Sequence, residues 1–314
     1  HTALMALIIL LVLRWLKAPT AQNLAWIGLA VGLSFGNHAS TLLLIPGLAW
    51  LLIRHRERWL TLQNVALAAG AFALGLSIYL YLPLRYAANP AFNYLQHYDE
   101  NGIAHPINLQ TVNGFWSVIS GQTFQQHMLS DPHLIESALS YGTQLIRDFW
   151  FIGLGPGLLG FVQLWKRNRS IGGMLLGMFV AHALFYILYR VPDKATMYLP
   201  NYLIIALWIG IGLESIFASL EDIQPRTQSK RFIWLARLTL TATVCLGLMW
   251  NWPLVDLSEN YEARQRAEHI LKNLEPNALL LGRWDLIPVI EYLQIIEGMR
   301  GDVQAINAFM ISKE

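Results

Sequence analysis

The 314-residue chain is 55% hydrophobic and only 13% charged, with 12 tryptophans, and a positive mean hydropathy excludes an ordinary soluble domain. Its 22 basic and 20 acidic residues nearly cancel, so net charge says nothing about partners and only the side on which each basic residue falls is informative. A single cysteine, Cys245, excludes an intrachain disulfide framework and a cysteine-based metal site.

The sequence starts at His1 directly in apolar residues, without a methionine or a signal-peptide start, which predicts a fragment lacking its N-terminal part. The first apolar run, Thr2 to Leu16, is closed by Arg14 and Lys17. A short pair follows, Leu24 to Gly36 and Ser40 to Ile53, ending in Arg54, Arg56 and Arg58. Val65 to Leu84 is the fourth run, and residues 85–144 form a polar segment. Four further runs cover Phe149 to Trp165, Gly172 to Tyr189, Tyr202 to Leu220 and Phe232 to Trp250. The reading is an all-α polytopic membrane protein of about eight spans, two of them short. Residues 1–250 form the membrane module, with an outer loop at about 85–146, and residues 251–314 begin an extracytoplasmic α/β region.

The pivotal stretch is GLSFGNHASTLLLIPGL, Gly32 to Leu48. As one helix, Leu24 to Ile53 would measure roughly 45 Å, which overshoots a hydrocarbon core of about 30 Å. Asn37, His38, Ser40 and Thr41 inside hydrocarbon need protein or a water-filled cavity around them. The stretch therefore predicts two short helices with Asn37-His38 at their tip. This hairpin places Arg14, Lys17, Arg54, Arg56, Arg58, Lys166, Arg167, Arg169, Arg226, Lys230, Arg231 and Arg237 on one side, the cytoplasmic one. The tip, the segment after Arg85, the loop from Arg190 to Asn201 and the C-terminal region fall on the outer side.

In the tail, Ala278 to Gly282 and Asp302 to Ile306 read as strands. Ile287, Ile290 and Leu293 between them recur at helical spacing, which completes one β-α-β unit. No phosphate-binding glycine loop, Cys/His metal spacing, Gly-x-Ser-x-Gly elbow or nucleic-acid surface occurs. Ionisable residues in apolar surroundings are the informative ones: His38, His182 and Glu214. His182, alone in its helix, reads first as a hydrogen-bonded core group, and Glu214 as reaching an interface. The pairs Gly32/Gly36 and Gly173/Gly177 suit close helix packing. A set of His38, Arg85 and Lys194 at the membrane surface is what a lipid phosphate needs. A carboxylate beside them could deprotonate an acceptor hydroxyl, whereas Asp99 and Glu100 read as solvated loop charges.

The ordered series GLSFGNHASTLLLIPGL, YLYLPLRYAANPAFNY, GFWSVISGQTFQQHM, DKATMYLPNYLIIALWIGIGLE and NALLLGRWDLIPVIEYLQIIEGMRGDVQAIN resembles the membrane family grouped with protein O-mannosyltransferases, of GT-C fold and polyprenyl-phosphate-sugar dependence. The resemblance implies transfer of a mannose-like sugar from a polyprenyl-phosphate donor to a protein or other hydroxyl acceptor on the outer face. It implies donor-phosphate contacts from His38, Arg85 and Lys194, and acceptor or sugar contacts from Asn37, Asn93, Asp193 and Tyr198. Where such enzymes often carry a lysine after the second span, this chain has Asn37-His38. The family's catalytic acid motif lies in a loop that would precede His1, leaving Asp193 as the candidate base within the chain. No cofactor is implied, a divalent metal stays open, and the expected partners are the lipid-linked sugar, the acceptor and membrane lipids, without nucleic acid. Dense tryptophan without disulfides suits a bacterial inner membrane. The competing class is a transporter or scaffold for lipid-linked or anionic solutes, in which His182 and Glu214 would line a central path.

Overall fold

The computed structural model describes residues 1–89, 95–98, 103–125, 134–149, 153–189, 194–223 and 226–308. In chain order, α1 is Thr2–Lys17 and α2 Ala21–Asn37; a 3-10 turn, Ala39–Leu44, leads into α3, Ile45–Arg54, and α4 is Arg56–Trp59. α5, Leu62–Leu76, continues through a 3-10 turn, Ser77–Leu80, into α6, Tyr81–Ala87. β1, Gln96–Tyr98, and β2, Ala104–Pro106, form an antiparallel pair. Then come α7, Val112–Ile119, α8, Gln122–Gln125, α9, Leu134–Asp148, α10, Leu154–Arg167, and α11, Arg169–Leu188. A 3-10 turn, Lys194–Tyr198, precedes α12, Leu199–Ile223, and α13 is Arg226–Val255. The tail comprises α14, Glu262–Asn273, β3, Leu279–Gly282, α15, Ile287–Ile295, and β4, Gln304–Asn307.

Among the described residues, four helical stretches are long and apolar enough to cross a membrane: Leu62–Ala87, Arg169–Leu188, Thr196–Leu220 and Arg231–Val255. α1, α2 and α10, at 16, 17 and 14 residues, fall short of the ~20 residues of a perpendicular crossing. The chain is an α-helical integral membrane protein. Its contacts divide it into two compact units, residues 1–81 with 119–234, and 82–118 with 235–314.

In the first unit, helix packing fixes the path of the chain. Gly28 faces the backbone of Ala68, Gly32 that of Phe72 and Gly75, and Gly36 the side chain of Ile78. Residue numbers rise together along both helices, so α2 and α5 run parallel, and residues 38–61 between them return across the bundle. The return is made by the 3-10 turn and α3, which packs antiparallel on α11: Gly47 faces Met174 and Gly177, while Trp50 covers Gly173. Trp50 Nε1 donates to the Arg169 carbonyl at 3.1 Å, and Arg54 Nε to Ser170 Oγ at 3.3 Å. Arg14 and Lys17 of α1 line a cavity with Asn168 and Ile171 at the same end. The chain is thus not a single rod from Leu24 to Ile53, and Arg14, Lys17, Arg54 and Arg169 gather at one end of the bundle. Met5, Ile8, Leu44, Leu51, Met174, Met178 and Ile204 are fully buried in the core between these helices.

The segment 85–144, expected as a polar loop, is folded over much of its described length. Leu134, Ile135, Ala138, Leu139, Leu145 and Ile146 recur at helical spacing, and that pattern makes α9 amphipathic.

In the second unit the tail forms a β-α-β arrangement whose strands pair in parallel, Leu279 opposite Gln304 and Gly282 opposite Asn307. Ala267 and Leu271 of α14 pack with Ile290 and Leu293 of α15 and with Val303. Arg300 adopts φ 46°, a conformation non-glycine residues rarely take. Its guanidinium is held there by the carbonyls of Leu271, Leu274 and Glu275 and by the Asp302 carboxylate.

Candidate functional site

The break at His38 follows from the polar residues around it. His38 is extended, φ −162° and ψ 135°, which stops α2. Its ring Nδ1 accepts from Ser40 N at 3.1 Å and caps the next turn. A neutral imidazole that accepts at Nδ1 carries its proton on Nε2, so exposed His38 presents an N–H donor.

His182, which reads from the sequence as a hydrogen-bonded core group, is buried and bonded in the structure and has a neighbour outside its own helix. It is 3% exposed, and its Nδ1 meets the Met178 carbonyl at 2.8 Å. A carbonyl can only accept, so Nδ1 bears the proton and Nε2 is left as an acceptor. That Nε2 lies 3.4 Å from Nε2 of His1, whose ring centroid is 5.7 Å from that of His182 and 6.1 Å from that of His38. Three histidines thus converge from the start of α1, the end of α2 and the middle of α11.

One helical turn beyond His182, on the same face of α11, Tyr186 enters an aromatic cluster. The rings of Tyr186 and Tyr198 are 4.3 Å apart, Tyr141 stacks on Tyr198 at 5.4 Å and 6°, and Tyr202 is 5.5 Å from Tyr198. Lys194 Nζ sits 5.0 Å from the Tyr186 centroid and donates to the Tyr186 carbonyl at 3.1 Å, a cation-π placement. Asn201, 1% exposed, donates to the Tyr141 hydroxyl, and its Oδ1 is buried without a partner among the described residues. Tyr202 donates to Asp148, which also accepts from Gln144 Nε2 at 2.9 Å. Burial pushes the Tyr141 hydroxyl up to about 12, partly offset by its bond from Asn201, so it stays a neutral hydroxyl.

Of the expected site residues, Lys194 and Tyr198 are brought together through Tyr186, and His38 meets His182 across His1. Asn37 is the exposed last residue of α2. Arg85 is exposed on α6, in the second compact unit. Asn93 and Asp193 lie outside the described residues, as do Asp99 and Glu100. Glu214 is exposed on α12. Sequence reasoning missed His1, Tyr141, Asp148, Tyr186 and Tyr202. The amphipathic pattern of α9 was the available signal for Tyr141 and Asp148. Among the described residues no three His, Cys, Asp or Glu side chains are placed to hold a metal ion.

The class defined by these features is a polytopic helical membrane protein with a basic end and, opposite it, an end bearing histidines, tyrosines and a lysine. The family model for the protein O-mannosyl-transferase TMEM260 N-terminal domain matches residues 1–61, which include His1, Asn37 and His38. The chain is similar to the protein O-mannosyl-transferase tmem260 of Dictyostelium discoideum, 26% identical over 94% of this chain and 39% of that protein. It is also similar to the protein O-mannosyl-transferase TMEM260 of Mus musculus, 24% identical over 98% of this chain and 45% of that protein. These matches support grouping the chain with the O-mannosyltransferase-like membrane family. The chain spans less than half the length of these relatives. No solved structure matches it.

Proposed function

We propose that the whole protein is a membrane glycosyltransferase of GT-C type, transferring a mannose-like sugar from a polyprenyl-phosphate donor to a hydroxyl of a protein or other acceptor on the outer, periplasmic or luminal, face. The observation that carries this reading is the Lys194-Tyr186-Tyr198 cluster one turn from His182, at the bundle end opposite Arg14, Lys17 and Arg54. An ammonium beside neutral hydroxyls is suited to a sugar phosphate: the cation offsets the phosphate charge, and aromatic faces and hydroxyls suit a sugar ring. His38 Nε2–H is a further donor. Basic residues gathered at the other end support an outward-facing site by the positive-inside rule. The residues of this chain are assigned to donor and sugar binding. The cavity between α9, α10, α11 and α12, of about 290 Å³, has only apolar walls, from Leu145 and Phe161 to Phe179 and Trp208, and so favours a transmembrane solute path no further.

The test is transfer by the full-length protein in proteoliposomes, using polyprenyl-phosphate-mannose and a hydroxyl-bearing peptide. Losing a charge-assisted bond to phosphate, about 1.5–3 kcal/mol, predicts at least a tenfold rise in donor KM for Lys194→Gln, with Lys194→Arg partly restored. An unchanged donor KM in Lys194→Gln, or wild-type transfer from a soluble nucleotide sugar without lipid donor, refutes the assignment.

A further inference from the structure

At the basic end of the first unit, a cavity of about 490 Å³ opens between α1 and the α10–α11 connection, lined by Leu10, Leu13, Arg14, Leu16, Lys17, Asn168 and Ile171. Leu10, Arg14 and Lys17 repeat at i, i+4 and i+7 and so share one face of α1. Leu10 is 47% exposed, and Arg14 and Lys17 are exposed at the rim. The neighbouring cation Arg54 is engaged, by Ser170 Oγ and by the Trp50 ring 5.5 Å from its guanidinium carbon. Arg14 and Lys17, by contrast, form no ion pair among the described residues. The start of α11 is satisfied from within, since Asn168 Oδ1 accepts from the N–H of both Ser170 and Ile171 at 3.1 Å. Any anion attracted here is therefore held by the two side chains.

The geometry points to a binding site for one anionic phospholipid of the basic-side leaflet, its phosphate between Arg14 and Lys17 and an acyl chain along Leu10, Leu13 and Ile171. Two unpaired cations above an apolar wall at a helix end match the two-part chemistry of such a lipid: charge at headgroup depth and hydrocarbon beneath it. Long basic side chains of this kind cover apolar surface with their stems and keep their charged heads in the polar phase, which suits Arg14 and Lys17 in the lining of this cavity. The site stands at the opposite end of the bundle from the proposed sugar-donor cluster and does not depend on that assignment.

Native mass spectrometry of the full chain, released from micelles doped with phosphatidylglycerol, phosphatidylcholine or inorganic phosphate, tests the proposal. Wild type retains one phosphatidylglycerol. The Arg14→Gln/Lys17→Gln double variant retains at least fivefold less, whereas Arg56→Gln/Arg58→Gln, equally basic but outside the cavity, retains it as wild type does. A photoactivatable phosphatidylglycerol labels peptides covering residues 10–17 and 168–171 in the unmodified chain, a readout independent of variant folding. Equal retention by both double variants, retention of phosphatidylcholine equal to phosphatidylglycerol, displacement of the lipid by inorganic phosphate, or labelling confined to other peptides each overturns the proposal.

Discussion

Ser34 and Thr41 close the break between α2 and α3 with a hydroxyl pair 2.8 Å apart, both side chains almost fully buried, at 0% and 1% exposure. Thr41 gives its single hydroxyl proton to the His38 carbonyl at 2.8 Å, so Ser34 is the donor within the pair. Thr41 thereby ties the last turn of α2 to the residue that ends it.

Thr41→Val removes an acceptor and a donor at once: the buried Ser34 hydroxyl loses its acceptor, and the His38 carbonyl keeps only the backbone N–H of residue 41, at 3.1 Å, whereas Ser34→Ala removes one donor and leaves Thr41 bonded. We expect about 1–3 kcal/mol for Thr41→Val and about 1 kcal/mol for Ser34→Ala, read by denaturant titration of the solubilised protein. A larger loss for Ser34→Ala contradicts the assigned donor direction.

Close approach of α10 and α12 depends on two glycines. A Cβ at Gly160 would run into the Trp208 carbonyl and one at Gly212 into the Pro156 carbonyl, while one at Gly210 would meet nothing within 4 Å among the described residues. Backbone atoms cannot move aside as side-chain ends do, so Gly160→Ala and Gly212→Ala each cost about 1–3 kcal/mol. Gly210→Ala stays within about 0.5 kcal/mol. Equal stabilities of the three variants remove this helix pair from the account.

The turn at Asn37-His38 was legible because polar residues interrupt an apolar run too long for one crossing. Gly32, Gly36, Gly173 and Gly177 were legible as packing residues, and each faces backbone or side chain of a neighbouring helix. The tail strands could be read because two short apolar runs flank a helical repeat. The tyrosine cluster was not read, since it needs α9, whose helical spacing was submerged in a stretch judged by its average polarity. The His1–His182 pair spans 181 positions, and no local pattern encodes a contact of that range. For the same reason the spacing of Lys194 and Tyr198 places them near each other but cannot supply Tyr141 or Tyr186.

Tyr141→Phe leaves the buried Asn201 amide without its acceptor, and about 1–3 kcal/mol of stability is lost. Tyr202→Phe removes a bond to an Asp148 side chain that is 27% exposed and still bonded to Gln144, and costs under about 1 kcal/mol. Thermal unfolding of the two variants side by side checks this order, and a costlier Tyr202→Phe overturns it.

In the tail, burial pushes the Glu291 carboxyl up to about 7 from an ordinary value of 4.5, and its Oε2 has no partner among the described residues. The folded state then binds the proton more tightly than the unfolded one. Stability is full below about 4.5, falls as pH rises toward 7, and stays low above it. Hydrogen exchange of α15 amides in the full chain, corrected for intrinsic rates, should lose protection between pH 4.5 and 7. Glu291→Gln should flatten that profile. A profile identical in wild type and variant shows that another group sets it.

The reversal at His38 sets the histidine and tyrosine end opposite the end with Arg14, Lys17 and Arg54, and membrane-impermeant maleimide labelling tests it most directly. On a Cys245→Ser background in sealed vesicles of known orientation, Asn37→Cys and Thr196→Cys should label from one side and Arg56→Cys only from the other. Labelling of Asn37→Cys and Arg56→Cys from the same side contradicts the account.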